Sequence, residues 1–232
     1  MIELYEMAIL CAFMYGMVDK KSINGFEVVK DLEDEKSGFK ATLFKKVDNY
    51  VFVFKGSDKP SQGDCAWTGF GPPISLRDHR ANVKQALGLR SEQYELAMYY
   101  IEIVKDIVLK NNGKLHLAGH SLGGGIASVV GTKHKFPTLT LNASGISNRT
   151  LKRYDITRQQ AKEFIRAYYI PDELLSYMQD RWCIMPSAIG NRKAIPGRVK
   201  KPKRKQRIVL HDEIVFMAEE IKSEEGRNKR GD

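Results

Sequence analysis

The stretch LHLAGHSLGGG, residues 115–125, passes directly from apolar residues to small residues around one serine. Gly119, Ser121 and Gly123 match the G-x-S-x-G pattern, in which a serine stands on a sharp turn between a strand and a helix. Side chains two residues before and after this serine would collide with the adjoining strand and helix, which explains the glycines. The turn also aims the first amides of the next helix at the hydroxyl, so the Leu122 N–H is a candidate oxyanion donor.

A glycine-rich phosphate-binding loop is the alternative interpretation of the same residues. Such a loop requires a lysine directly after the glycines, and Lys133 comes too late in this chain. The apolar residues before Ser121 and the helix-compatible residues after it favour the nucleophile turn.

The segments around this turn predict strands that alternate with helices, with an early β-hairpin that turns near Asp48. Ser91 is the expected N-cap of a long helix that ends at Gly113. This alternation predicts an α/β fold with a mostly parallel central sheet, helices on both faces and the N-terminal hairpin at one edge. Strands are predicted for residues 39–44, 50–54, 114–118, 137–142 and 164–170, and helices for 4–18, 76–87, 91–112, 122–134, 157–163 and 212–222.

Length and composition favour one soluble domain. The 232 residues are 42% hydrophobic and 28% charged, which predicts a single folded domain over 1–222 followed by a charged tail over 223–232. No apolar run approaches the roughly 20 residues that a membrane-spanning helix needs. The first residues include Glu3 and Glu6 and no basic start, so we expect no secretory signal peptide and a protein that is cytoplasmic as synthesised. Later export, as for a secreted effector, stays open.

Cysteines and charge restrict the cofactors and partners. Cys11, Cys65 and Cys183 are far apart and in no metal-ligand spacing, which predicts reduced thiols and no metal site. The net charge of +10 indicates an anionic partner. Residues 198–207, RVKKPKRKQR, are a solvated basic loop, a contact for anionic lipid headgroups or a nonspecific phosphate contact. No aromatic residues interleave with them, so nucleic acid is not indicated.

A catalytic serine needs a base, and two histidines follow Ser121 in the chain. His134 falls at the far end of the helix that begins at the serine, so it points away. His211 follows a strand-like stretch, 207–210, and precedes the final helix, which makes it the candidate base. The histidines that flank the turn, His116 and His120, are expected to be structural.

The base in turn needs an orienting acid, and several carboxylates are eligible. Asp172 follows a strand-like run, at a turn marked by Pro171, and is the favoured candidate. Its alternative role is to cap a helix N-terminus. Asp155, Glu173 and Asp180 compete with it.

A second oxyanion donor is expected from a loop after an earlier strand, and Ser57 follows the apolar residues 51–54. The run Phe54-Lys55-Gly56-Ser57, together with Trp67, a long helix and the Gly-His-Ser-Leu-Gly-Gly turn at 119–124, resembles the class 3 lipases and related bacterial lipase-like hydrolases. The resemblance covers residues 51–141 and extends more loosely to the late Asp and His.

The resemblance implies an α/β-hydrolase fold and a cofactor-independent serine hydrolase. It implies Ser121 as nucleophile, Asp172 and His211 as its partners, and Ser57 with Leu122 as the oxyanion hole. Two departures concern the oxyanion loop: Lys55 replaces the usual arginine, and the usual acid–Trp pair is spread over residues 64–67.

Residues 69–75 are apolar and form either a lid or a loop packed on its own core. In the first case Trp67, Phe70 and Ile74 would contact an acyl chain.

These observations predict an esterase or lipase that cleaves carboxylic esters of lipids, such as a phospholipase or triacylglycerol lipase. An alternative is a soluble carboxylesterase or thioesterase for small acyl substrates. A hypothesis of another class is an inactive hydrolase fold that serves as a basic binding module.

Overall fold

The architecture is a seven-stranded sheet whose strands follow one another in space in the order of the chain. The computed structural model describes residues 2–56, 76–181, 185–199 and 202–230. The first three strands pair antiparallel, and the third to seventh pair parallel. The strands are β1 (Glu27–Asp34), β2 (Phe39–Lys46), β3 (Asn49–Phe54), β4 (Lys114–His120), β5 (Thr138–Leu141), β6 (Ile165–Tyr169) and β7 (Asn191–Ala194).

Helices cover both faces of this sheet, as predicted. One apolar core lies under the connecting helices between strands, and a second lies under the first and last helices. The helices are α1 (Leu4–Met14), α2 (Leu76–Lys110), α3 (Ser121–His134), α4 (Asn148–Arg153), α5 (Arg158–Phe164), α6 (Leu174–Arg181), α7 (Arg204–His211) and α8 (Ile214–Arg230).

The predicted hairpin is present, and its second strand is central. Strands β2 and β3 pair from Lys46 and Asn49 to Ala41 and Phe54, and β3 then pairs in parallel with β4. Residues on both faces of β3 are buried, which explains its continuous apolar sequence. One edge strand of the sheet is β1, whose mostly exposed side chains give little hydrophobic periodicity.

Three predicted boundaries are corrected. Helix α2 is continuous through Ser91, which is therefore not an N-cap. The strand-like stretch 207–210 belongs to α7. Helix α8 continues beyond residue 222 to Arg230, and Glu225 in the predicted tail accepts hydrogen bonds from the main-chain N–H groups of Leu4 and Tyr5 at 2.8 and 3.2 Å. A carboxylate at a helix N-terminus is stabilising, so this part of the last helix anchors α1.

No helix in the part of the chain that the structure describes is both long and apolar enough to cross a membrane.

Candidate functional site

The turn between β4 and α3 is a sharp strand-to-helix turn in which backbone atoms approach closely, as the G-x-S-x-G pattern predicts. Ser121 has φ +57°, a left-handed conformation that is strained for a residue with a Cβ. A Cβ at Gly119 would lie 2.4 Å from the carbonyl oxygen of Gly123, and a Cβ at Gly123 would lie 2.1 Å from that of Phe54. Real Cβ atoms do not approach oxygen so closely, so glycine is required at both positions.

Ser121, His211 and Glu173 form one hydrogen-bonded row. The Nε2 atom of His211 lies 2.9 Å from the Ser121 hydroxyl oxygen, and its Nδ1 lies 2.6 Å from a carboxylate oxygen of Glu173. The three residues come from the start of α3, the end of α7 and the loop between β6 and α6. A hydroxyl, an imidazole and a carboxylate in this order can move a proton from the serine to the histidine.

The acid in contact with His211 is therefore Glu173, and the prediction of Asp172 is wrong by one residue. The Asp172 carboxylate is 43% exposed and pairs instead with the Arg207 guanidinium at 3.1 Å. Glu173 is fully buried, and its second oxygen accepts a hydrogen bond from the main-chain N–H of Ser176. The main-chain N–H of Leu175 donates to the same oxygen that contacts His211, at 2.7 Å.

The electrostatics of the row favour a charged imidazole. Burial alone would lower the pKa of His211, but the charge of Glu173 and its hydrogen bond outweigh burial, so the pKa is raised above its usual value of 6.5. A base with a raised pKa accepts the serine proton more readily, and Glu173 stabilises the imidazolium that results.

Of the two candidate oxyanion donors, Leu122 belongs to the described residues. The Leu122 N–H lies at the start of α3, close to Gly56, which follows the end of β3 by two residues: a Cβ at Gly56 would lie 3.3 Å from the Leu122 nitrogen. The main-chain N–H of Gly56 donates to the Tyr15 hydroxyl at 2.7 Å, which fixes the chain where it enters the predicted oxyanion loop. The predicted second donor, Ser57, lies outside the described residues, as do Trp67, Phe70 and Ile74 of the predicted acyl contact.

Two other histidines, His120 and His134, do not contact the serine hydroxyl in the part of the chain that the structure describes. His134 lies at the far end of α3 and pairs with Glu102 at 3.5 Å. His120 is buried, and its Nε2 hydrogen-bonds the main-chain carbonyl of His211 at 2.8 Å. Sequence reasoning assigned His120 no specific partner, because nothing local indicates that this carbonyl will lie beside it.

A second buried side chain that sequence reasoning missed is Asn142. It directly follows β5 and donates from Nδ2 to the His211 carbonyl at 3.0 Å. The available signal was its place in the sequence, since a polar residue at the carboxyl end of a buried parallel strand falls on the edge where α/β proteins build sites.

Within the described ranges, three side chains lie close enough together to bind one metal ion: His120, His211 and Asp212. Both ring nitrogens of His211 are already hydrogen-bonded, to Ser121 and to Glu173. This donor set fits proton transfer better than metal binding.

Comparison with known proteins gives concordant matches. A family model described as phospholipase-like, the Tle-like phospholipase domain, matches residues 15–208. An extracellular phospholipase A1 of Serratia liquefaciens is 29% identical over 204 residues, which are 81% of this chain and 58% of that protein. The chain thus spans less than two thirds of the length of this relative.

Solved structures of fungal lipases have the same fold. A lipase from Rhizopus microsporus var. chinensis superposes with a TM-score of 0.55 at 12% identity, covering 89% of this chain and 82% of the lipase. The Rhizomucor miehei lipase in its propeptide complex superposes with a TM-score of 0.53 at 14% identity, covering 92% and 77%. The likeness identifies the sheet and its helices as a lipase-type α/β-hydrolase fold.

Proposed function

This chain belongs to the Tle-like phospholipase domain family, and we propose that it is a serine hydrolase that cleaves a carboxylic ester of glycerophospholipids. The observation that carries the proposal is the row from Ser121 through His211 to the buried Glu173. Similarity to a phospholipase A1 favours the ester bond that such an enzyme cleaves.

In the proposed reaction the Ser121 oxygen attacks the acyl carbonyl carbon while His211 Nε2 takes the hydroxyl proton. The carbonyl oxygen becomes an oxyanion beside the Leu122 N–H, and Ser57 would supply the second donor. His211 then protonates the departing alcohol oxygen, which leaves a lysophospholipid and an acyl-serine ester. Water, deprotonated by His211, hydrolyses that ester to the fatty acid and restores the serine.

The geometry supports catalysis because the reacting groups are placed before substrate arrives. The strained backbone of Ser121 costs about 1–3 kcal/mol, and the glycines and strand pairing around it hold it there. Glu173 is bound by two main-chain N–H groups, from Leu175 and Ser176, so its carboxylate does not need to reorient when His211 becomes charged.

We further propose that the outer face of α7 contacts anionic membrane lipid. Lys203 and Lys205 are exposed, and Val209 is 63% exposed two residues before His211. Cations and an apolar side chain on a helix beside the catalytic row would bring the site to a lipid surface. In the same basic segment, Arg198 pairs with Glu219 and Arg207 pairs with Asp172.

The direct test is incubation with mixed phospholipid vesicles and mass analysis of the products. The wild type is expected to release fatty acid and lysophospholipid, whose isomer shows the acyl position, and Ser121→Ala is expected to lose about 10⁴-fold or more of kcat. Ser223→Ala, at an exposed serine on α8, is the matched control. Unchanged release by Ser121→Ala would contradict the proposal.

Two further measurements separate the alternatives. A rate that rises steeply when a short-chain ester passes from monomers to micelles favours the lipid enzyme over a soluble esterase. Failure of a fluorophosphonate probe to label Ser121 would favour the inactive binding module.

For membrane contact, the charge reversal Lys203→Glu with Lys205→Glu is expected to reduce sedimentation with anionic vesicles severalfold and to leave that with zwitterionic vesicles low. The double variant Lys110→Glu with Lys114→Glu is the control, because these exposed lysines lie where α2 ends and β4 begins, at the end of β4 opposite Ser121. An equal reduction of sedimentation with anionic vesicles in both double variants would indicate nonspecific electrostatic attraction rather than docking through α7.

A further inference from the structure

The main-chain carbonyl of His211 is held by two buried side chains. His211 is the last residue of α7, where carbonyl groups lack partners within the helix. The His120 Nε2 lies 2.8 Å from this oxygen, and the Asn142 Nδ2 lies 3.0 Å from it. Both side chains are almost fully buried, at 2% and 0% exposure, so water does not compete for these hydrogen bonds.

Asn142 connects this carbonyl to the loop that carries the acid. Its Oδ1 accepts a hydrogen bond from the Ile170 main-chain N–H at 2.9 Å, three residues before Glu173. Its own main-chain N–H donates to Tyr168 at 3.0 Å and extends the pairing of β5 with β6. A left-handed backbone, φ +43°, places the side chain between the two segments.

His120 connects the same carbonyl to the nucleophile, because it is the residue directly before Ser121. Burial and the neighbouring His211 lower the pKa of His120 well below its usual value, so its imidazole is neutral and carries one N–H. The carbonyl acceptor places that N–H on Nε2. Among the described residues Nδ1 has no hydrogen-bond partner, which agrees with a single donating nitrogen.

We propose that His120 and Asn142 are positioning residues for the reaction, which hold the His211 imidazole in line by its own carbonyl. Through them the segments that carry the serine, the acid and the base converge on one oxygen atom. Loss of either hydrogen bond would let the end of α7 move, and a displacement of about 1 Å can cost about 10²-fold in rate. The proposal rests on the proposed function above.

The test compares two substitutions of His120. His120→Phe keeps a ring and removes the donor, and kcat on phospholipid is expected to fall about 10-fold to 100-fold with KM changed less than about twofold. His120→Gln places an amide N–H near the position of Nε2, and kcat is expected to return to within about fivefold of wild type. His134→Phe, at the far end of α3, is the control and is expected to keep the wild-type kcat.

The rate of fluorophosphonate labelling separates this proposal from the proposed function. If wild-type Ser121 is not labelled, the proposed function fails. If wild type is labelled and folded His120→Phe is labelled at the same rate, only the positioning role fails. The positioning role also fails if His120→Phe and His120→Gln lose kcat equally while both variants melt like wild type.

A second variant keeps the test decisive if His120→Phe does not fold. Asn142→Asp retains the acceptor for the Ile170 N–H but turns an oxygen toward the carbonyl of His211, so kcat is expected to fall at least 10-fold. Wild-type kcat in Asn142→Asp would overturn the proposal. In a Glu173→Gln background, the further fall in kcat caused by His120→Phe or Asn142→Asp is expected to be smaller, because these substitutions and Glu173→Gln act through the same His211 imidazole.

Discussion

The turn that carries Ser121 and the loop that carries Glu173 contribute to the same hydrogen-bonded row in different ways. At the turn, backbone atoms approach so closely that the residue types are fixed locally: Gly123 is flanked by the carbonyl of Phe54. At the loop, two adjacent acids differ through partners far away in the chain, since Glu173 contacts His211 and Asp172 contacts Arg207. Local sterics determine the turn that presents Ser121, whereas tertiary contacts determine which of the two acids meets His211.

The largest effect expected is the difference between the two acids. Glu173→Gln removes the charge that orients His211 and stabilises its imidazolium, so kcat should fall about 10³-fold to 10⁴-fold. Asp172→Asn should leave kcat within about threefold, because that carboxylate is partly exposed and does not contact the row. Steady-state hydrolysis of phospholipid by both variants is the measurement, and the opposite ranking would restore Asp172 as the acid.

At the turn that carries Ser121, we expect substitution of a glycine to lower the stability of the fold. Gly123→Ala would place a methyl group 2.1 Å from the Phe54 carbonyl oxygen, and the resulting displacement should cost about 3 kcal/mol or more in the free energy of unfolding. Denaturant unfolding measures this cost. Gly226→Ala, where a Cβ meets nothing within 4 Å, is the matched control, and equal stability of the two variants would contradict the packing of the turn.

The pH dependence gives a more moderate effect that is specific to the acid loop. His211 must be neutral to act as base, so kcat/KM should rise with pH around a midpoint above 6.5. In Glu173→Gln the midpoint should move to lower pH, because burial then acts without the opposing charge. Rates of fluorophosphonate labelling across pH 5–9, a range of about four units chosen to span the ordinary histidine pKa, measure both profiles. An unmoved midpoint would mean that another group titrates.

The same raised pKa has the opposite effect on stability. The contribution of His211 to folding is complete below its unfolded pKa, near 6.5, and is lost as pH rises through the higher folded pKa. The protein should therefore lose this part of its stability over the interval in which it becomes active, which thermal unfolding at several pH values can follow.

The smallest effect concerns Arg207, which lies one helical turn before His211. Its guanidinium donates to the main-chain oxygen of Asp172 at 2.8 Å and lies 3.7 Å from the centre of the Tyr177 ring. Arg207→Met keeps the aliphatic stem but removes these contacts, so we expect a loss of about 1–2 kcal/mol in stability and a severalfold loss in kcat. A loss as large as that of Glu173→Gln would show that Arg207 acts on the reaction itself.

The contrast between the two regions also explains what the sequence could predict. The strand, the turn and α3 were predictable because glycine spacing and apolar patterning are local signals, and the order of serine and histidine follows from chain topology. The identity of the acid was not predictable, because Asp172 and Glu173 are adjacent in the sequence. Which of them contacts His211 depends on where Arg207 and His211 lie in the folded protein. The stretch 207–210 has only three consecutive apolar residues after Arg207, which fit a strand or a helix equally well, so α7 was predicted wrongly as a strand.

The strand order has a consequence for how the molecule becomes competent during synthesis. Each strand is laid beside its predecessor, so the sheet can grow in step with the emerging chain. His211 arrives late, and directly after it come the α8 residues, Ile214 to Ile221, that close the second apolar face. A nascent chain shorter than this therefore lacks both the imidazole of the hydrogen-bonded row and a closed second core, so the proposed hydrolysis would have to wait until these last residues are synthesised.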